Sequence, residues 1–176
     1  MAAHRFAEAV GRPLNLAVTL NLSHTTCDPD RTSEAFERLR DNHFTRWLRY
    51  QSQKASKTGK PSFGPPTYTW VIEAKNGYPH VHWNLHIHPS LKNPLLKRIE
   101  KWLQKVAGEI EKPLGAIHSI PITNTNGLAK YCMKGIDPYQ AKAKFIRPEY
   151  QGAVTGKRCG VSASLGPSAR KTLRGG

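Results

Sequence analysis

Glu73-Ala-Lys-Asn-Gly-Tyr-Pro-His80-Val-His82-Trp83 is the stretch around which the rest of the chain can be organised. Asn76-Gly77 is the strongest short signal for a two-residue type I′ hairpin loop, because both central residues of that turn need positive φ. With that loop in place, Lys75 faces Tyr78, Glu73 faces His80, and Val71 faces His82. Directly opposed, hydrogen-bonded residues have Cα atoms about 5.5 Å apart. Residues two apart on one strand share a face at a separation of roughly 6.6 Å. The spacing therefore predicts that one carboxylate and two imidazoles, Glu73, His80 and His82, converge on a single point.

The opposite face of the same hairpin supports this register. Tyr68, Trp70 and Ile72 lie across from Leu85, Trp83 and Val81, an aromatic and β-branched set suited to a core. A slip of one residue would bury the histidines and expose the tryptophans. Pro79 falls in a non-hydrogen-bonded pair, where its missing N–H breaks no bond of the hairpin. His86 and His88 keep the parity of the other two histidines. His86, however, is about 13 Å from His82 along a strand, too far to share an ion with it. Both read as packing or substrate-facing residues.

The chain has 176 residues, enough for one domain with a real core, and a formal net charge of +15. That excess of positive charge implies a polyanionic partner, of which nucleic acid is the usual one. A membrane surface fits less well: no basic amphipathic helix, lipidation signal or span-length apolar run is visible. The first eight residues lack the apolar stretch of a signal peptide. Cys27, Cys132 and Cys159 form neither a disulfide framework nor a zinc spacing. They suit a reducing, cytoplasmic setting.

Residues 14 to 22 alternate, with Leu14, Leu16, Val18, Leu20 and Leu22 on one side, which predicts a half-buried strand. A helix is predicted from about Asp30, with Phe36, Leu39, Phe44, Trp47 and Leu48 as its apolar stripe. Residues 52 to 66 read as a polar, Gly/Pro-rich loop. Pro94 is expected to open a second amphipathic helix, with Leu96, Ile99, Leu103, Val106 and Ile110 inward. Ala116 to Thr123 reads as a strand that Pro121 confines to an edge. Asn124 and Asn126 are placed to cap a short helix running from Gly127 to Lys134.

From residue 141 onward the composition changes. Lys142, Lys144, Arg147, Lys157, Arg158, Arg170, Lys171 and Arg174 stand against one acid, Glu149. The expected organisation is a catalytic domain over residues 1–140 and a basic, partly irregular extension over 141–176. Within that extension Lys157 and Arg158 are candidate nucleic-acid contacts, and Tyr150 a candidate for stacking on bases. Gly152-Ala-Val-Thr-Gly156-Lys157-Arg158 is not a phosphate-binding loop: it has three residues between the glycines, not four, and Arg158 after the lysine. Strand separation would then come from supercoiling, a single-stranded substrate or a separate helicase.

Tyr131 and Lys134 are three apart on the predicted short helix and so share a face. Beside a divalent-ion site, a tyrosine can act as a nucleophile that forms a covalent intermediate. A metal can polarise a phosphodiester and neutralise its charge. The lysine can stabilise the charge on phosphorus or protonate the leaving oxygen.

His80-Val-His82 followed by Tyr131-Cys-Met-Lys134 resembles the HUH endonuclease superfamily, in which rolling-circle replication initiators carry a His-hydrophobic-His motif and a later Tyr-x-x-Lys. The strand Leu16-Ala-Val-Thr-Leu-Asn-Leu resembles that family's first motif. The resemblance spans about residues 14 to 135 and implies an α+β fold with a central, about five-stranded antiparallel sheet and flanking helices. It also implies Mn²⁺ or Mg²⁺ held by the two histidines and a nearby acid, here Glu73. It implies attack by Tyr131 on single-stranded DNA at an origin or hairpin, leaving a 5′-phosphotyrosine and a free 3′-OH. Thr19 and Asn21, on the polar side of the first strand, become candidate DNA contacts on the same ground. Tyr139 does not match a paired-tyrosine pattern, so a single-tyrosine mechanism is implied. Two Nδ/Nε donors and one carboxylate also suit catalytic zinc, but a tyrosine nucleophile favours the harder, exchangeable Mn²⁺ or Mg²⁺. The alternatives are a single-tyrosine transposase of the same superfamily and a non-catalytic nucleic-acid-binding module.

Overall fold

The computed structural model describes residues 2–124, 127, 138–143 and 145–172. The fold is α+β. Strands β1 (Leu16–Asn21), β2 (Tyr68–Glu73), β3 (His80–Leu85), β4 (Ile117–Pro121) and β5 (Cys159–Val161) form one sheet in the order β4-β1-β3-β2-β5. Every neighbouring pair in it is antiparallel. The described helices are α1 (Ala2–Ala9), α2 (Thr32–Arg38), α3 (Arg46–Lys57), α4 (Pro89–Ala107), α5 (Pro138–Ala143) and α6 (Pro167–Thr172), with a π-helical segment, Leu39–Thr45, between α2 and α3.

The hairpin register is the one the Asn76-Gly77 loop dictates. Asn76 and Gly77 have φ of 55° and 77°, and the Tyr78 N–H donates to the Lys75 carbonyl at 3.0 Å. Glu73 then pairs with His80, Val71 with His82 and Trp70 with Trp83. β3 lies at the centre of the sheet, between β1 and β2.

One face of the sheet carries the main core. Leu16, Val18 and Leu20 of β1, Trp70 and Ile72 of β2, and Val81, Trp83 and Leu85 of β3 pack against Phe36, Leu39, Phe44 and Leu48 on one side of the helical layer. Leu91, Leu95, Ile99 and Leu103 of α4 complete it. Trp83 is fully buried and meets Phe44 edge-on at 4.8 Å between ring centres, with Phe36 at 5.5 Å. Such contacts add about 0.5–1.5 kcal/mol each beyond the area they bury.

Three sequence expectations need correction. The helix after Pro29 does not stop near residue 51 but runs to Lys57, because its last turns contain no Gly or Pro and bury only Ala55. Leu39 and Phe44 are five apart in the sequence, a spacing off the helical stripe, and the π-helical segment between them brings both into the core. Helix α4 begins at Pro89, with the His88 side chain accepting from the Ser90 N–H as its cap, and Pro94 sits inside it. The 141–176 segment also contributes to the sheet. Its residues Cys159–Val161 form β5, which pairs with β2 from Thr69↔Val161 to Val71↔Cys159. Gly152 fits the same closure: at φ 75° it lies so close to the Ala74 carbonyl that a Cβ would stand 1.9 Å from that oxygen.

Helix α1 was not expected. Its Ala7 packs with Leu14 and Leu165 in a small second core. The His4 ring meets the Thr69 hydroxyl at 3.2 Å, on the face of the sheet opposite the main core. Burial holds the His4 imidazole down to about 4 from an ordinary 6.5. Between those two values the unfolded chain binds the extra proton, so His4 contributes stability that is complete above pH 6.5 and is lost as the pH falls through 4. We predict a fall of roughly 2 kcal/mol over that window from this residue, less than the full shift would give because solvent still screens the ring. Chemical denaturation at several pH values should show it, and His4→Gln should flatten the slope; an unchanged slope would contradict the assignment.

Candidate metal centre and nucleic-acid face

The second face of the sheet is built by the alternate residues that the core leaves over. One row across it reads His118, Thr19, His82, Val71 and Cys159. The next row towards the hairpin turn reads Asn21, His80 and Glu73. Glu73 is buried, 4% exposed, and His80 and His82 are half-buried. Helix α1, reaching Thr69 through His4, covers the other end of this face.

Glu73 and His82 form an ion-pair contact, Oε2 to Nε2, at 3.5 Å. The His80 and His82 rings are 5.8 Å apart, centre to centre, at an angle of 70°. Burial opposes ionisation of Glu73, but the hydrogen-bonding and positive charge of His82, with Lys75 and His80, outweigh it and hold its carboxyl below the usual range. Desolvation, helped by the charge of His82 and opposed by Glu73, holds His80 below the ordinary histidine value. At neutral pH the cluster therefore presents an anionic carboxylate and a neutral His80 imidazole, the forms in which these groups bind metals.

The far side of His82 is held by Thr19, whose hydroxyl lies 3.2 Å from Nδ1. A hydroxyl can donate or accept. It serves the tautomer in which Nε2 carries the proton towards Glu73, and equally the one in which Nδ1 carries it and leaves Nε2 as a metal ligand. Thr19, expected as a DNA contact, is thus placed behind His82. Asn21, the other such candidate, donates its side-chain N–H to the Gly115 carbonyl.

Among the described residues, no three His, Cys, Asp or Glu side chains stand as a ready-made metal-binding group. The backbone register brings Glu73, His80 and His82 together, but the carboxylate is turned onto His82 and the two rings are tilted apart. The donor chemistry fits a divalent ion, since one oxygen donor and two imidazoles suit manganese, magnesium with added waters, or zinc.

His86 and His88 have structural positions. His86 Nδ1 lies 2.8 Å from the Pro13 carbonyl, and His88 caps α4. His118 was missed by sequence reasoning, although it keeps the polar parity of the strand that was expected there. It borders an open pocket of about 280 Å³ lined by Ala17, Thr19, His82, Asn84 and Ile120 as well. A second hollow, of about 320 Å³, shares Ala17 and Ile120 and extends to Asn124 and Gly127. Tyr131 and Lys134 lie outside the described residues. The Gly127 N–H, four positions before Tyr131, donates to the Asn124 side chain at 2.8 Å.

Of the two basic candidates in the last quarter of the chain, Lys157 is exposed. Arg158 is half-buried, and its guanidinium donates to the carbonyls of Gly152 and Gln151. Among the described residues, no helix is long and apolar enough to cross a membrane. Neither a protein-family model nor a curated protein matches this chain.

Two outcomes follow from this geometry. Calorimetric titration with Mn²⁺ should give one site that His82→Ala abolishes and Thr19→Val weakens about tenfold, the usual cost of losing a partner behind a ligand. Equal affinity in all three proteins would remove the site, and affinity should fall on acidification as the imidazoles take up protons. Separately, Lys157→Ala should lower the log–log salt slope of single-strand binding by about 0.7 while leaving the melting temperature unchanged. Arg158→Ala should instead lower the melting temperature, as expected for a guanidinium turned onto its own loop.

Proposed function

We propose that this protein nicks and rejoins single-stranded DNA in a sequence-specific, divalent-metal-dependent reaction. In this reading it is an HUH-type endonuclease that initiates rolling-circle replication on strands exposed by a separate helicase. The observation that carries the proposal is the register of the central hairpin, which sets Glu73 opposite His80 and brings His82 onto the same face with Thr19 behind it. The net charge of +15 and the hollows running from His82 towards Gly127 agree with a polyanionic substrate lying across this face.

A divalent ion held by Glu73, His80 and His82 would polarise the scissile phosphate and neutralise its charge. Tyr131 is the nucleophile in this scheme. Its phenolic oxygen bonds to phosphorus and the bond from phosphorus to the 3′ oxygen breaks. The tyrosine is left esterified to the 5′ phosphate. Lys134 supplies positive charge to the phosphorane and a proton to the departing 3′ oxygen, which leaves as 3′-OH, while the phenolic proton of Tyr131 passes to solvent. Attack by a 3′-OH on the phosphotyrosine reverses these steps and rejoins a strand.

The Glu73–His82 contact favours a second reading, a nucleic-acid-binding module whose acid and imidazole satisfy one another. One experiment separates the two. Wild-type protein incubated with Mn²⁺ and origin-containing single strands should give a protein–DNA band resistant to denaturant. Tyr131→Phe should give none while keeping its fold and its Mn²⁺ affinity. A normal adduct from this variant would overturn the nucleophile, and Tyr139 would be examined next. No adduct from wild type with any divalent ion would favour the binding module.

A further inference from the structure

Three of the described helices end in the same hydrogen-bonded motif. After α1, the Gly11 N–H donates to Glu8 at 3.0 Å and the Arg12 N–H to Ala7 at 2.8 Å. After α3, Gly59 donates to Ser56 at 3.1 Å and Lys60 to Ala55 at 3.0 Å. After α5, Phe145 donates to Lys142 at 3.1 Å and Ile146 to Ala141 at 2.9 Å. In each case the pivot residue is left-handed, with φ of 68°, 70° and 53° respectively. Glycine holds this position without steric cost, whereas a bulky side chain strains the backbone there.

Phe145 takes that strain and receives no burial in return, since it is 91% exposed. The apolar contact that usually accompanies the motif falls to the next residue: Ile146 is 7% exposed and Ala141 is fully buried. A phenyl ring held in water on strained backbone does nothing for folding. Its surroundings are basic, with Lys142 and Arg147 both exposed. The segment is also fastened to the tip of the site hairpin. Glu149 pairs with Lys75 at 3.0 Å, and the Ala74 N–H donates to the Gln151 carbonyl at 2.8 Å. Phe145 is four residues from Glu149, which is at most about 14 Å of chain from a residue anchored beside Glu73.

We propose that Phe145 is a stacking platform for an unpaired base of single-stranded nucleic acid, with Lys142 and Arg147 taking the phosphates on either side. A flat apolar ring flanked by cations matches the alternation of base and phosphate along a single strand. A protein partner would leave those two charges to be desolvated. The proposal rests on the nucleic-acid reading above, but on neither the metal nor Tyr131.

Phe145→Gly makes the test, because the two roles of the position then move in opposite directions. The melting temperature should rise by about 2–4 °C as the strain is relieved. Affinity for fluorescent oligo(dT) should fall about tenfold, with the log–log salt slope unchanged because no phosphate contact is lost. Phe145→Trp should keep wild-type affinity. Oligo(dT) affinity of Phe145→Gly equal to wild type would overturn the proposal, and the adduct assay would still judge the nuclease reading on its own. A wild-type protein that fails to bind oligo(dT) would overturn the platform, and the adduct assay on origin-containing strands would still judge the nuclease reading. A loss of affinity in Phe145→Trp equal to that in Phe145→Gly would show that stacking is not the interaction.

Discussion

Asn76 and Gly77, two consecutive residues at φ 55° and 77°, are the constraint on which the site face depends. A type I′ turn matches the right-handed twist of the strands it joins, so the hairpin closes with no bulge and no choice of register. A slip by one residue would send Trp83, Trp70 and Ile72 to water and draw Glu73 and the two histidines into the core. Losing three such side chains from the interior costs about 5–9 kcal/mol, comparable with the whole stability of a domain this size. The aromatic core and the polar cluster therefore specify one another across a single pleated sheet. Neither can move without the other.

The central place of β3 follows from that. Because β1 lies on one side and β2 on the other, His82 is held between Thr19 and Glu73. Its ring orientation is set by strands separated in sequence by about fifty residues of helix and loop. The buried Glu73 carboxylate keeps its charge because positive groups surround it. A buried acid needs such compensation, whether from imidazoles alone or from imidazoles and an ion. That is why the same three residues suit both a metal centre and a cluster whose charges offset one another.

What could be read from the sequence was local. The hairpin register, the alternation of β1 and the edge position of β4 all rest on neighbours within a few residues, and the placing of Glu73, His80 and His82 on one face needed only the turn between them. What could not be read was set from a distance. Thr19 stands behind His82 because β1 pairs with β3, a fact of topology that no window of the chain reveals. β5 is three residues, Cys159, Gly160 and Val161, in a glycine- and serine-rich setting with no alternation to announce it. The free edge of β2 makes it a strand, through the bonds from Ile72 to Arg158 and from Ser162 to Tyr68. Helix α1 carries Ala3, Phe6 and Ala7 at helical spacing, a weak stripe that gains meaning only with Leu14 and Leu165 against it. Phe145 is invisible for the opposite reason: a helix end is expected at glycine, and here the motif forms without one.

The central claim is that the hairpin turn builds one divalent-ion site from Glu73, His80 and His82. Imidazole ring signals followed by NMR during a substoichiometric Mn²⁺ titration test it most directly, because the ion's paramagnetism erases only the rings close to it. The account predicts that the His80 and His82 signals broaden and vanish together, while those of His4, His86 and His88 persist. Uniform broadening of all the histidines, or loss of His86 and His88 first, would contradict it.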